Sequence, residues 1–218
     1  MLSAYRVAVG AAMIPAGRLG DLRGHRRMVL AGLVIFGGAS RVCGLSPSFG
    51  LLIGFRALQG LGAAALFTAC IAAISTAVAS DHRAAAIGAL FGVANIGTAL
   101  GPFVGGLLSE QASWRWVFLL NVPLAALAII FCLRWVPKVP PAGAAARIDW
   151  IGLVLVSAGV VALAYAADRA GEWGWASPAL IGLLVLAVVL LVVFTIVERR
   201  VKDPLIDICR CSATGRMC

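Results

Sequence analysis

Apolar residues run along this chain in long stretches, and most of the charge falls in the short breaks between them. Seven stretches stand out: Leu2 to Ala16, Met28 to Leu45, Phe49 to Ala73, Ala84 to Leu108, Trp116 to Trp135, Trp150 to Ala167 and Pro178 to Val197. A bilayer core takes about 20 apolar residues per helix. Only helices or closed barrels satisfy every backbone polar group in lipid, and no strand-like alternation of polar and apolar positions is present. The pattern therefore predicts an all-α membrane protein with about seven transmembrane helices. It divides into a bundle over residues 1–135, a linker over 136–149, two additional spans over 150–197 and a polar tail over 198–218.

Composition sharpens this reading. Of 218 residues, 62% are hydrophobic and 12% charged, against about 25% charged in soluble domains, which excludes a water-soluble fold. The net charge of +9 raises a nucleic-acid partner, but the basic residues lie in alternate breaks, as topology signals do. One side collects thirteen of them, beginning with Arg18, Arg23, Arg26 and Arg27, whereas the other has three, Arg41, Arg115 and Arg169; Arg6 and Arg56 fall within spans. The positive-inside rule then places the break at 18–27 and the tail in the cytoplasm, and Met1 outside. An odd number of spans with an exterior start points to an additional upstream span, since Pro15-Ala16-Gly17-Arg18 is a poor signal-peptide cleavage site. All six tryptophans fall at span ends or in breaks, as expected of rings that favour the headgroup level. Cys43, Cys70 and Cys132 read as small packing residues, and the C-x-C-x6-C tail lacks histidine, so no metal site or cofactor is expected.

Three clusters carry candidate chemistry. The first is the turn at 17–27, where Gly17, Gly20 and Gly24 permit close approach or positive φ and Asp21 can accept from a helix amino terminus or pair with an arginine. It reads either as a gating latch or as the ordinary basic loop of a membrane protein. The second is Arg56, with Gln59 and Gly60 on its face at i+3 and i+4. A guanidinium within a span is a functional candidate by default; the alternative is an arginine snorkelling to the interface from the nearby Ser46-Pro47-Ser48. The third is Gly97, Gly101 and Gly105, which recur every four residues beside Pro102 and Gly106 and make a bare helix face. This suits either rocking or plain small-residue packing, and Pro102 permits a kink.

The order of residues in these clusters resembles a known family. The string G-x-L-G-D-x-x-G-x-R-R over 17–27, R-x-x-Q-G-x-G from Arg56 and G-x-x-x-G-P-x-x-G-G from Gly97 are similar to signatures of the major facilitator superfamily, and the last to its drug-efflux antiporters. Trp114-Arg115-Trp116 through Pro123, Asp149-Trp150-Ile151-Gly152, Glu172-Trp173-Gly174-Trp175 and Pro204-Leu205-Ile206-Asp207 resemble the fourteen-span drug–proton antiporter branch (EmrB/QacA type). The resemblance implies helices 2–6 of an N-terminal bundle plus two linker spans, in the plasma membrane. It implies proton-coupled efflux of drugs or other amphipathic small molecules. Arg56, Gln59 and Gly60 would then serve coupling, Gly97, Gly101, Pro102, Gly105 and Gly106 would form the antiporter motif, and Gly17, Asp21, Gly24, Arg26 and Arg27 the cytoplasmic gate.

Departures from the family pattern are equally specific. Leu22 and His25 stand where the turn signature usually carries basic residues, and all nine acidic residues lie in breaks or at span ends, so none sits mid-membrane opposite Arg56. The family's first helix, with its coupling aspartate, and its second six-helix bundle have no counterpart in these residues. The implied partners are a small-molecule substrate, protons, the bilayer and a missing C-terminal half. The alternative expectation is a non-transporting fragment, or a half that needs a partner chain. An enzyme is not expected, because H-E-x-x-H, G-x-S-x-G and an intramembrane carboxylate pair are absent from the sequence.

Overall fold

The computed structural model describes residues 2–136, 150–174 and 177–198, in two compact units, Met1–Ala142 and Gly143–Cys218. Every regular element among the described residues is helical. The first unit holds α1 (Leu2–Arg23), α2 (His25–Leu45), α3 (Phe49–Ala77), α4 (Ser80–Gln111), α5 (Arg115–Leu119) and α6 (Asn121–Trp135); the second holds α7 (Trp150–Trp173) and α8 (Pro178–Glu198). Six helices are long and apolar enough to cross a membrane, counting α5 and α6 together as Arg115–Trp135. The first stretch forms a helix too, of 22 residues, or about 33 Å at 1.5 Å per residue. Arg6, Pro15 and Arg18 dilute its apolar character.

The boundaries differ from the sequence reading in an instructive way. Residues 17–23, expected in a loop, continue α1, and the reversal is confined to Gly24, whose φ of 90° suits a residue without Cβ. The Gly24 amide donates to the Gly20 carbonyl (2.8 Å) while the amides of Arg27 and Met28 donate back to Gly24 (3.1 and 3.2 Å), so one residue serves both helix ends. Helix α7 likewise runs beyond Ala167 to Trp173, because Asp168, Arg169 and Glu172 are polar but not helix-breaking. The opposite occurs over Trp116 to Trp135, where the helix is interrupted at Leu120. Pro123 lacks an N–H and its ring crowds the carbonyl of Leu119; the Asn121 side chain donates to the Val117 carbonyl (3.4 Å).

Helix α3 is the hub, packed against both α1 and α2, and α2 also meets α5 and α6. Bare glycine faces set these crossings: a Cβ on Gly62 would lie 2.8 Å from the Phe36 nitrogen and 3.0 Å from the Gly32 carbonyl. One core cluster joins Ala16, Met28, Val29, Leu33, Ala65, Ala69 and Cys132, and a second joins Cys43, Leu52 and Phe118 with Phe55 against it. The outer surface is apolar, with Ile35, Phe103, Leu124 and Ile130 among its exposed residues, as lipid as solvent allows. Trp114, Trp116, Trp135, Trp150 and Trp173 lie at helix ends; Trp175 lies outside the described residues, as do residues 137–149 and the tail from 199. In the second unit α7 and α8 form a hairpin in which Gly159 admits Leu191 and Ala166, Ala170 and Leu180 close the core.

Candidate functional site

Arg56 lies in the eighth position of α3, about two turns from its start. Its guanidinium turns into the bundle. One nitrogen, Nη1, donates to Gln59 Oε1 (2.9 Å), Gln59 Nε2 donates to Ser40 Oγ (2.6 Å), and the Ser40 hydroxyl donates to the Phe36 carbonyl (2.7 Å). Gln59 and Ser40 are 1% and 0% exposed, so this relay is sealed from solvent. The i+3 spacing brings Gln59 under Arg56, and the close approach of α2 to α3 at Gly32 and Gly62 lets α2 present Ser40 to it. The guanidinium carbon also lies 4.6 Å from the Phe118 ring centroid and 5.6 Å from that of Tyr5. Gly60 makes the Tyr5 contact geometrically accessible, since α1 backbone passes where its Cβ would be, 2.6 Å from the Tyr5 carbonyl oxygen.

Magnitudes indicate what this arrangement achieves. An arginine at the centre of a span costs about 2.5–3.5 kcal/mol on insertion scales, an upper figure for Arg56, which lies about two turns from the start of α3. A charge-assisted hydrogen bond contributes about 1.5–3 kcal/mol, and each ring contact about 0.5–2 kcal/mol. The neutral surroundings therefore offset the cost without a carboxylate, and among the described residues the guanidinium meets an amide and two rings, not an acid. Its Nε is buried and makes no hydrogen bond among the described residues, so donor capacity remains.

At the helical turn, Asp21 Oδ1 lies 3.8 Å from His25 Nε2 on the i+4 face. The start of α2 has no side-chain cap: the partner Asp21 meets is His25, neither a helix amino terminus nor an arginine. Gly20 is buried beneath His25, with a Cβ there 3.2 Å from its Nδ1. Arg26 Nη2 donates to the Leu133 carbonyl (2.7 Å), holding the turn to the end of α6, while Arg27 is exposed and Gly17 has open space around it. The glycines of α4 differ again. A Cβ on Gly97, Gly101, Gly105 or Gly106 would meet nothing within 4 Å, and α4, continuous through Pro102, has no buried residue. The three clusters thus occupy separate places in the unit.

Ser40, Tyr5 and Phe118 were not singled out from the sequence. Ser40 carried a faint signal, as a polar residue within the apolar stretch from Met28 to Leu45; the two rings are partners only through folding.

Residues 1–196 match the Major Facilitator Superfamily. The chain belongs to that superfamily. It is 42% identical over 207 residues to the puromycin resistance protein of Streptomyces alboniger, covering 94% of this chain and 41% of that protein. It is 34% identical to multidrug resistance protein 3 of Bacillus subtilis, covering 94% and 40%, and 33% identical to the tetracenomycin C resistance and export protein of Streptomyces glaucescens, covering 94% and 38%. The chain therefore spans about two fifths of the length of these relatives. Membership in this superfamily, together with six spanning-length apolar helices, makes it a multi-pass membrane protein.

Proposed function

We propose that these residues form part of a proton-coupled exporter of amphipathic small molecules, in the plasma membrane, with the turn at Gly24 and the tail cytoplasmic. The observation that carries the reading is the Arg56 guanidinium, drawn into the bundle and held by neutral groups with Nε unsatisfied. Such a cation is poised to exchange partners as a carboxylate elsewhere in the working transporter gains and loses its proton. Gln59, Ser40 and Gly60 position it. The relatives named for puromycin, tetracenomycin C and multidrug resistance support drugs as the substrate class. The distribution of basic residues supports the orientation.

In this reading the Asp21–His25 turn and the Arg26 contact to α6 form the cytoplasmic gate. The open glycine face of α4, with Pro102, is the antiporter surface. Transporters of this superfamily rock two halves about a central site, so the second half is assigned to sequence outside these 218 residues or to a partner chain.

Efflux of preloaded ethidium from an efflux-deficient host carrying the gene in its native context tests the proposal. Wild type exports in an uncoupler-sensitive manner; Arg56→Ala and Arg56→Lys reach the membrane at equal abundance and lose that component. Uncoupler-sensitive export retained in Arg56→Ala removes the coupling role, and absence of export by wild type removes the transporter reading.

A further inference from the structure

A cavity of about 400 Å³ opens in the first unit, lined by Ser46, Pro47, Ser48, Phe49, Leu52, Trp114, Arg115 and Phe118. It lies where the α2–α3 connection meets the start of α5, and its volume falls in the range of small-molecule sites. Most of its wall is apolar and aromatic, and Arg115 is its one charged lining residue. Arg115 is held in place: its guanidinium lies 5.0 Å from the Trp114 ring centroid, and Nη2 donates to the Ser46 carbonyl at 3.5 Å. Ser46 is a second polar residue of the wall, and its hydroxyl is closed off within the wall rather than open to the cavity. Ser46 is 4% exposed, and its buried Oγ has no hydrogen-bond partner among the described residues. Ser48, by contrast, is committed to capping α3.

We propose that this cavity binds a small aromatic acid, with its ring against Phe49, Leu52 and Phe118 and its carboxylate toward Arg115. The choice of charge follows from the lining, where a fixed cation without any acidic neighbour repels an ammonium and pairs with an anion. The choice of an aromatic body follows from the three rings, Trp114 and Phe118 being already in edge-to-face contact at 6.0 Å. Phe118 is also the ring beneath Arg56, so occupancy is felt one residue away from the relay. Binding here does not depend on the transport reading, and it is tested without transport.

The test uses the full chain in nanodiscs and three probes that share a naphthyl body, 2-naphthoate, 2-naphthylmethanol and 2-naphthylmethylammonium, titrated by calorimetry against empty nanodiscs. The expected result is saturable binding of one naphthoate per chain, at least about tenfold tighter than the ammonium, as loss of one charge-assisted hydrogen bond implies. Arg115→Gln weakens naphthoate, whereas Arg169→Gln in the second unit leaves it unchanged. Equal affinity for acid and ammonium, or binding no greater than to empty discs, overturns the proposal; this comparison stands on the wild-type chain alone if Arg115→Gln fails to fold. Naphthoate binding abolished in anionic discs but present in zwitterionic ones assigns the cavity to a lipid headgroup and overturns it too.

Discussion

Replacing Gly60 by alanine puts the crossing of α1 and α3 to a quantitative test. A Cβ at this position would lie 2.6 Å from the Tyr5 carbonyl oxygen, 2.9 Å from Ala8 Cβ and 3.3 Å from the Val9 nitrogen. Ordinary carbon–oxygen contacts are about 3.3–3.6 Å, so α1 must withdraw by roughly 0.7 Å, and the obstacle is backbone that no rotamer change can move. Overpacking of this kind costs about 1–3 kcal/mol, against a gain of about 1 kcal/mol from alanine's better helix propensity. Gly54 on the same helix provides the control, because nothing lies within 4 Å of its Cβ position and Gly54→Ala retains the whole propensity gain. The two variants should differ by about 1–3 kcal/mol, read as denaturant-induced loss of helicity in one detergent. Withdrawal also carries the Tyr5 ring from 5.6 Å past the roughly 6 Å limit of a useful cation–π contact. Equal stability of Gly60→Ala and Gly54→Ala would refute the close crossing and, with it, the account of how Tyr5 reaches Arg56.

Other consequences are equally direct. Ser40→Ala leaves the buried Gln59 Nε2 without its 2.6 Å acceptor and should cost about 1–3 kcal/mol; adding Gln59→Leu should recover part of that loss, and strict additivity in the double-mutant cycle would deny the relay. Gly24→Ala forces a side chain to φ 90° and should cost about 1–3 kcal/mol in the same unfolding assay, whereas Gly17→Ala, with open space around it, should not destabilise. Arg26→Gln removes the 2.7 Å bond to Leu133 at an exposed site, so it should change stability by about 1 kcal/mol or less while increasing amide exchange at the end of α6.

The sequence made the spans legible because lipid imposes a simple rule, and it made the tryptophan positions legible for the same reason. What it concealed was where polarity still permits helix. Residues 17–23 contain Arg18, Asp21 and Arg23 with two glycines, a composition that reads as loop, yet none of these residues removes a backbone hydrogen bond as proline does. One left-handed glycine was enough to reverse the chain. At the candidate site, the Arg56–Gln59 pair followed from helical spacing alone. Ser40, Tyr5 and Phe118 did not, because they come from α2, α1 and α5 and are set by which helices glycine faces allow to touch.

That distinction bears on the third cluster, where spacing and structure diverge. Glycines at 60 and 62 are filled by neighbouring backbone, but those at 97, 101 and 105 face open space on a helix with no buried residue. If the latter were ordinary packing glycines within this unit, alanine there would destabilise it. The geometry says otherwise: Gly101→Ala should leave the unit unchanged or stabilise it by up to about 1 kcal/mol through helix propensity. The proposed role as a moving antiporter surface predicts loss of ethidium export at unchanged membrane abundance in the same variant. Stability and export thus move in different directions only if the bare face serves a partner outside the described packing. A Gly101→Ala chain that is destabilised by more than about 1 kcal/mol would show instead that α4 packs against these helices more closely than its open surroundings indicate.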